Sequence, residues 1–485
     1  MTTLRVMEPP NPMKIVEVVR VAPPSDSQHS VSQMSLPLTF FDIYWLKFPP
    51  TQRLFFYQLT LTLSEPPSFY SFILPKLKRS LSFALPHYLP LTGNIKWDSD
   101  YPKPIIFCST YDAVSLTVAE SIADFARLSG NGIPRKAVDL HALAPELSVN
   151  DHVSSIISLQ ITFFPSQGFC IGVTTHHAVL DGHTITSFVK SWAHICKAQD
   201  QENDSLPPEL IPCFSRGAIK DPGRLDVALL NKWIALSGGD HDPSDHRNSG
   251  NLKLLPVREV DPEFIRVKFE LTREDLKKIR ERVLRNEVII KHYEQDQSPL
   301  HLSTFVLTYA YMITCMVKAK GGDISNREVV IGFAADYRNR LDPPLPLTYF
   351  GNCIGAEMDF GIARDFMGQN GIAIAAKMVS DMVSRLGTRS LEKLPDVLSD
   401  FMNKVSNANL LTFSVAGSTR FGVYGTDFGW GKPKSVEIVS IDGNGAFSMA
   451  ESRDGNGGVE IGFSSTSNYI ERLTVLFTEE LNSDL

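Results

Sequence analysis

Hydrophobic residues recur along the chain at two spacings. Alternation with period two predicts strands at residues 13–21, 54–63, 154–164 and 168–175, and shorter ones at 105–107 and 116–118. In 168–175, Phe169, Ile171 and Val173 share one face, and the turn Pro165-Ser166-Gln167-Gly168 predicts pairing with 154–164. Helical spacing puts Phe69, Phe72, Ile73, Leu77, Leu81 and Leu85 on one face of a helix over 68–85. Ile185, Phe188, Val189, Trp192 and Ile195 do the same for a helix that begins near residue 182. The periodic signal fades between 199 and 262. There Pro207, Pro208, Pro212, Pro222 and the run SGGDHDPSDHRNSGN predict a long crossover with a flexible loop. It returns with a strand at 265–269, a helix opened by the capping pair Thr272 and Asp275, a helix at 302–318, a strand at 329–335 and a helix at 372–386. Near the end, 435–441 and 446–451 are expected to form a hairpin around Asp442-Gly443-Asn444-Gly445. Helices and strands mixed in both halves predict an α/β or α+β architecture without a short-period repeat.

Length and charge narrow this picture. A chain of 485 residues exceeds one ordinary core, so two domains of roughly 200 residues each are expected. The division falls at 1–200, a crossover over 201–262, and 263–485. Hydrophobic content of 43% with 21% charged residues describes a soluble globular protein. A net charge of −7 argues against a general nucleic-acid binder. The six cysteines include no C-x-x-C pair, which argues against a disulfide framework or structural zinc site and for a reducing compartment. Pro9, Pro10 and Pro12 interrupt any signal-peptide core, and no apolar run of about 18 residues occurs, so the expectation is a cytosolic protein without a membrane span.

The candidate chemistry sits at His176-His177-Ala178-Val179-Leu180-Asp181-Gly182, where a strand ends and a helix begins. Flanking elements would fix a histidine there, which suits a general base. The competing reading is a satisfied structural histidine. A metal shared by His176, His177 and His183 is disfavoured, because adjacent strand residues point to opposite faces. A serine hydrolase is also disfavoured, since the chain contains no G-x-S-x-G elbow. Asp181 could orient His177 or brace the turn by pairing with a cation elsewhere, and the bracing role is preferred. A second stretch, Asp427-Phe428-Gly429-Trp430-Gly431-Lys432-Pro433, reads as a tight loop and lacks the spacing of a phosphate loop.

Together these stretches resemble the plant BAHD acyltransferases. His177 to Gly182 is similar to their HxxxDG signature and Asp427 to Gly431 to their DFGWG signature. Tyr349-Phe350-Gly351-Asn352-Cys353 resembles the YFGNC stretch of the branch that acylates anthocyanin and other phenolic glucosides. The resemblance also takes in residues 36–42, 89–94 and 302–311.

The resemblance implies two chloramphenicol-acetyltransferase-like α/β domains of similar size, joined by a long crossover, with an active-site channel between them. It implies direct acyl transfer from acyl-CoA to an acceptor hydroxyl, without an acyl-enzyme and with His177 as general base. Malonyl-CoA is the expected donor and hydroxycinnamoyl-CoA the alternative. The expected acceptor is a sugar hydroxyl of a phenolic or flavonoid glucoside. Asp181 is expected to pair with Arg338, within Asp336-Tyr337-Arg338-Asn339-Arg340. Asp427, with Gly429 and Trp430, is expected to shape the channel wall, although family activity places Asp427 beside His177 among the catalytic residues. Lys277, Lys278, Ser303 and Thr304 are candidates for the coenzyme A phosphates. Some branches carry a Thr-Ser-Trp stretch that holds the oxyanion. Here the matching place reads Ala416-Gly417-Ser418, leaving Ser418 as a donor without an indole. Arg420 and His183 are candidates for the malonyl carboxylate. No metal and no permanently bound cofactor are expected. The partners are small molecules only, and the chain is expected to be a monomer.

Overall fold

The computed structural model describes residues 13–24, 33–97, 102–130, 132–198, 205–236, 251–256, 259–286, 300–386, 391–405 and 410–482. The loop expected within 237–250 lies outside them. Two large mixed sheets, each with helices packed against it, make an α/β fold.

The first sheet orders Met13–Val21, Val114–Ser121, Ile157–Phe164, Gly168–Thr175, Thr51–Gln58 and Ser435–Ile438 side by side. The predicted pairing of Ile157–Phe164 with Gly168–Thr175 is present, running from Phe164 opposite Gly168 to Ile157 opposite Thr175. Every residue of both strands is buried. The helices Leu74–Ala84 and Gly182–Ala198 pack on one another beside this sheet.

The second sheet orders Ile354–Ile362, Glu328–Asp336, Leu411–Ser418, Ala446–Glu451, Val459–Thr466, Phe264–Leu271 and Arg135–Lys136. The helix Thr304–Lys320 packs against Gly371–Arg385 and Ser467–Asn482. A small third sheet joins Gln33–Pro37, Ile105–Ser109, Asn94–Lys96 and Val153–Ser155.

Two sequence expectations are corrected here. The strand Ser435–Ile438 forms no hairpin with Ala446–Glu451. It pairs antiparallel with Thr51–Gln58 of the first sheet, while Ala446–Glu451 pairs parallel with Leu411–Ser418 and antiparallel with Val459–Thr466. Reciprocally, Arg135–Lys136 leaves the first half to edge the second sheet at Phe264–Leu271. A linear cut at 201–262 therefore does not partition the sheets, because each half lends the other an edge strand. The exchanged strands bring buried charges together. Glu437, fully buried, meets Arg135 at 3.0 Å, Arg266 at 3.0 Å and Lys268 at 3.3 Å. Only the exchange brings these four charges together.

Within the crossover, Leu225–Leu236 forms a helix that the fading periodicity did not predict. It packs against Phe40–Tyr44 and Leu394–Val405, and Trp233 donates from Nε1 to the Ile43 carbonyl at 2.8 Å.

Candidate active site

Gly168–Thr175 and Gly182–Ala198 hold the HxxxDG turn between them. At the strand end His176 turns inward and is fully buried. Its Nδ1 accepts from the Ala178 amide at 3.2 Å, and its Nε2 is buried without a partner. His177 points the other way and stays half-buried. Its ring stacks flat on Trp45, with centroids 4.3 Å apart and planes 5° from parallel. Trp45 is itself fixed by a 3.2 Å hydrogen bond from Nε1 to the Ile354 carbonyl. Nδ1 of His177 is buried without a hydrogen-bond partner. Nε2 is not enclosed in that way and bonds no described residue, so it is the nitrogen free to take a proton.

The backbone of His177 is anchored from the other half of the chain. Asn352 donates from Nδ2 to the His177 carbonyl at 2.8 Å. Its backbone amide donates to Asp42 Oδ1 at 2.9 Å. Asp42 also receives Arg216 at 3.1 Å, and Arg216 donates to the Tyr349 hydroxyl at 2.7 Å. Gly351 adopts a φ of +134°, where a Cβ would come within 2.2 Å of Arg216 Nη1, so the glycine is required for the guanidinium to pass.

Asp181 faces away from His177. Its Oδ2 lies 2.8 Å from Arg338 Nη2 and accepts from the Cys353 amide at 3.2 Å. Its Oδ1 accepts from the amide and hydroxyl of Thr184 at 2.9 and 3.0 Å. Arg338 also donates to the carbonyls of Tyr349 and Gly351. Both charged groups are fully buried. Burial opposes ionisation of Asp181, but Arg338 and the Thr184 amide outweigh it and hold the carboxyl below its ordinary range.

Burial pushes the His177 imidazole down to about 4, with the ring's own backbone and Asp181 pulling it up and Arg53 pressing it further down. The ring is thus neutral at pH 7 and able to accept a proton. His176 is driven to about 3 by burial and by its neighbour.

Asp427 is not beside His177. Its Oδ1 accepts from the amides of Gly429 and Gly431 at 2.8 and 2.9 Å, and its Oδ2 meets Lys197 Nζ at 2.6 Å. Lys197 stands at the far end of the helix that Gly182 opens, roughly 20 Å along its axis. Both amides serve glycines with positive φ, +107° and +97°, so the carboxylate ties a loop that bulkier residues would strain. Phe428 inserts edge-on between Tyr57 and Trp192, and Trp430 meets Phe169 edge-on. The DFGWG loop therefore pins the second half onto the first sheet. Asp427→Asn is expected to lower stability by about 1–2 kcal/mol while leaving kcat of the folded enzyme nearly unchanged. Thermal melts with active-site-normalised rates check this.

The remaining candidates divide. Ser418 ends Leu411–Ser418, and the loop after it brings the Phe421 ring against Gly182. Ser418 Oγ accepts from the Arg420 amide at 3.2 Å. Lys277 is exposed and sits 3.7 Å from Glu274. Lys278 shares its helix, Arg273–Leu284, which packs on Phe264–Leu271 and on helices of the second half. Ser303 is committed as the N-cap of Thr304–Lys320, accepting from the Val306 amide at 3.3 Å, and Thr304 begins that helix. No group of three or more histidine, cysteine or carboxylate residues suited to a metal occurs among the described residues. No helix among them is long and apolar enough to cross a membrane.

Sequence reasoning missed Trp45, Asp42, Arg216 and Asn352. The usable signal was a lone carboxylate within Phe40-Phe41-Asp42-Ile43-Tyr44, since a charge in an apolar run demands a buried partner.

The chain is 47% identical to phenolic glucoside malonyltransferase 1 of Arabidopsis thaliana, over 97% of this chain and 98% of that one. It is 42% identical to an agmatine coumaroyltransferase of the same plant, over 96% and 98%. The crystal structure of vinorine synthase superposes with a TM-score of 0.63 at 20% identity, covering 96% of this chain and 98% of that one, which establishes the shared fold. The model of the Transferase family matches residues 14–473. With nearly its whole length matched, the chain belongs to the Transferase family, the BAHD acyltransferases, and is an acyltransferase enzyme.

Proposed function

We propose that the chain transfers a malonyl group from malonyl-CoA to a sugar hydroxyl of a phenolic glucoside in the cytosol, with His177 as the general base. The observation that carries this reading is the geometry of His177: an imidazole at a strand end, stacked flat on Trp45, whose Nε2 bonds no described residue. Nε2 takes the proton of the acceptor hydroxyl. The oxygen attacks the thioester carbonyl, the carbon–sulfur bond breaks, and the thiolate of coenzyme A is reprotonated as it leaves. The imidazolium formed in passing would be stabilised across the Trp45 face. Asp181, Arg338 and Asn352 act by holding the turn in place. Asp427, Gly429 and Trp430 act by holding the two halves together.

The surroundings of the ring support a phenolic acceptor. Trp45 and Phe48 flank His177, and Phe48 stacks near Phe401 of the second half at 6.0 Å. Phe48 and Phe401 are only half-buried, so an aromatic aglycone can lie against them. The malonyl donor follows the Arabidopsis malonyltransferase, and an aroyl donor would follow the coumaroyltransferase. Lys277, Lys278 and the Ser303–Thr304 helix start are the proposed contacts for the coenzyme A phosphates, with Ser418 as the proposed oxyanion donor. Mass spectrometry of products from a panel of glucosides offered malonyl-, acetyl- and coumaroyl-CoA tests the reading. Malonylated glucoside that disappears with His177→Ala supports it. Coumaroylated product alone would replace the donor, and free malonate without acylated glucoside would replace the reaction.

The same imidazole predicts an unusual pH profile. Because its folded-state pKa lies near 4, kcat/KM of the free enzyme should stay level as pH falls through 6.5 and drop only towards 4. An acid limb centred at about 6.5, the value for an unperturbed histidine, would contradict a base whose titration is depressed by its surroundings. Stability runs against this. His176 and His177 are held neutral in the folded chain, so between about 6.5 and 4 only the unfolded chain binds their protons, and stability is lost as pH falls through that window. Short assays with a parallel fluorescence check of folding separate the two effects.

A further inference from the structure

A second buried guanidinium lies near the base and has no part in the mechanism above. Arg53, on Thr51–Gln58, is only 5% exposed. Its Nη1 donates to two neutral oxygens, the Gly182 carbonyl at 3.2 Å and Thr186 Oγ1 at 2.9 Å. Its Nε is buried without a partner, and Nη2 makes no hydrogen bond to any described residue. Asp181 is the carboxylate whose charge reaches it, yet both Asp181 oxygens are spent on Arg338, Thr184 and Cys353. A cation taken out of water without a paired anion is costly, and an anion arriving beside it would relieve that cost.

The position of the unpaired edge is informative. A Cβ on Gly182 would lie 2.6 Å from Nη2 and 2.7 Å from the Phe421 ring, so Nη2 lies between the HxxxDG turn and the loop after Ser418, where the guanidinium carbon stands 5.6 Å from the Phe421 ring centroid. The N-terminus of Gly182–Ala198 opens there and adds its own positive end. Arg53 is tied by its bond to the Gly182 carbonyl to the same short turn that carries His177. A malonyl thioester carries its free carboxylate two bonds beyond the reacting carbonyl, so a cation receiving it must lie about one side chain from the base. The two candidates suggested by sequence fit less well. Arg420 is exposed, and burial holds His183 toward its neutral form.

We infer that Arg53 receives the free carboxylate of the acyl donor and thereby selects malonyl over neutral acyl groups of similar size, an inference that rests on the malonyl reading above. The fork of a guanidinium matches a carboxylate better than an ammonium does. The competing explanation is a brace between strand and helix, through Gly182 and Thr186.

Initial rates with malonyl-CoA and acetyl-CoA, measured on one phenolic glucoside for the wild type, Arg53→Met and Arg53→Lys, separate the two. Arg53→Met should lower kcat/KM for malonyl-CoA by about 100- to 1,000-fold, the usual effect of removing one partner of a buried charge pair, and leave acetyl transfer little changed. Arg53→Lys should fall between. An equal loss with both donors identifies a brace and overturns the inference. A wild type that accepts coumaroyl-CoA but not malonyl-CoA overturns the malonyl reading, and the inference with it. A wild type active on malonyl-CoA whose malonyl-to-acetyl ratio survives Arg53→Met overturns Arg53 alone. Should Arg53→Met not fold, inhibition of wild-type acetyl transfer is compared for malonate and its monomethyl ester. Stronger inhibition by malonate supports the inference, and equal inhibition counts against it.

Discussion

His177→Ala is expected to reduce kcat by about 10²–10⁴-fold, the range for removing a positioned base, without loss of the fold. The ring is half-buried; it stacks on the face of Trp45 and meets Phe48 edge-on, so truncation opens space at a partly exposed position and leaves the core filled. The turn itself is held by backbone and neighbouring bonds: Asn352 to the His177 carbonyl, and Asp181 to Thr184, Cys353 and Arg338. None of them depends on the imidazole. KM for either substrate should therefore change far less than kcat, and the acid limb near pH 4 should vanish from the residual rate. Steady-state kinetics with a circular-dichroism melt check both. A variant retaining most of its kcat would remove His177 from the mechanism.

How far the sequence could be read is explained by the range of the signals. The pairing of Ile157–Phe164 with Gly168–Thr175 was legible because a tight turn and two apolar runs lie next to each other. The helix Arg273–Leu284 was legible at its start, where Thr272 and Asp275 cap each other reciprocally. The pair between Asp181 and Arg338 became legible only through the family resemblance, since nothing local to Arg338 names its partner. What local patterning misled was the end of the chain. The glycines at 443 and 445 have positive φ, as a hairpin turn would require, but Ser435–Ile438 goes to another sheet. Its four residues carry too weak an alternation to reveal that destination. Its partner Arg135–Lys136 is shorter still. Residues joining the halves at the site escaped for a related reason: the lone carboxylate Asp42 calls for a buried partner but does not name it, and Asp42, Arg216 and Asn352 become a set only when three distant segments meet.

That exchange of strands carries the second large effect. Glu437→Gln is expected to destabilise the protein by about 3–5 kcal/mol, because it removes the one anion that meets Arg135, Arg266 and Lys268 together and leaves buried Arg135 without a carboxylate. Burial alone would raise the Glu437 carboxyl, but Arg135, Lys268 and Arg266 outweigh it and hold it well below the usual carboxylate range. Its stabilising charge is fully present above the unfolded carboxyl value and is lost progressively as pH falls from there through the depressed folded value. Early acid sensitivity therefore belongs to His176 and His177, and Glu437 governs stability at neutral pH. When the anion goes, Arg266 keeps Asp442 and Lys268 keeps Glu460, but Arg135 is left with the Leu128 carbonyl at 2.7 Å and no carboxylate among the described residues. Arg135 sits on the strand that the first half lends to the second sheet, and Glu437 on the strand lent in return. Losing their bond loosens both exchanges together, and with them the docking that brings Asn352 to His177. The urea midpoint should fall markedly in Glu437→Gln. Arg135→Met added to it should recover part of the loss, since an apolar side chain at 135 no longer needs a counter-ion. Additive losses in the double variant would mean that the two residues stabilise the fold independently, and that the strands are held in place by packing alone.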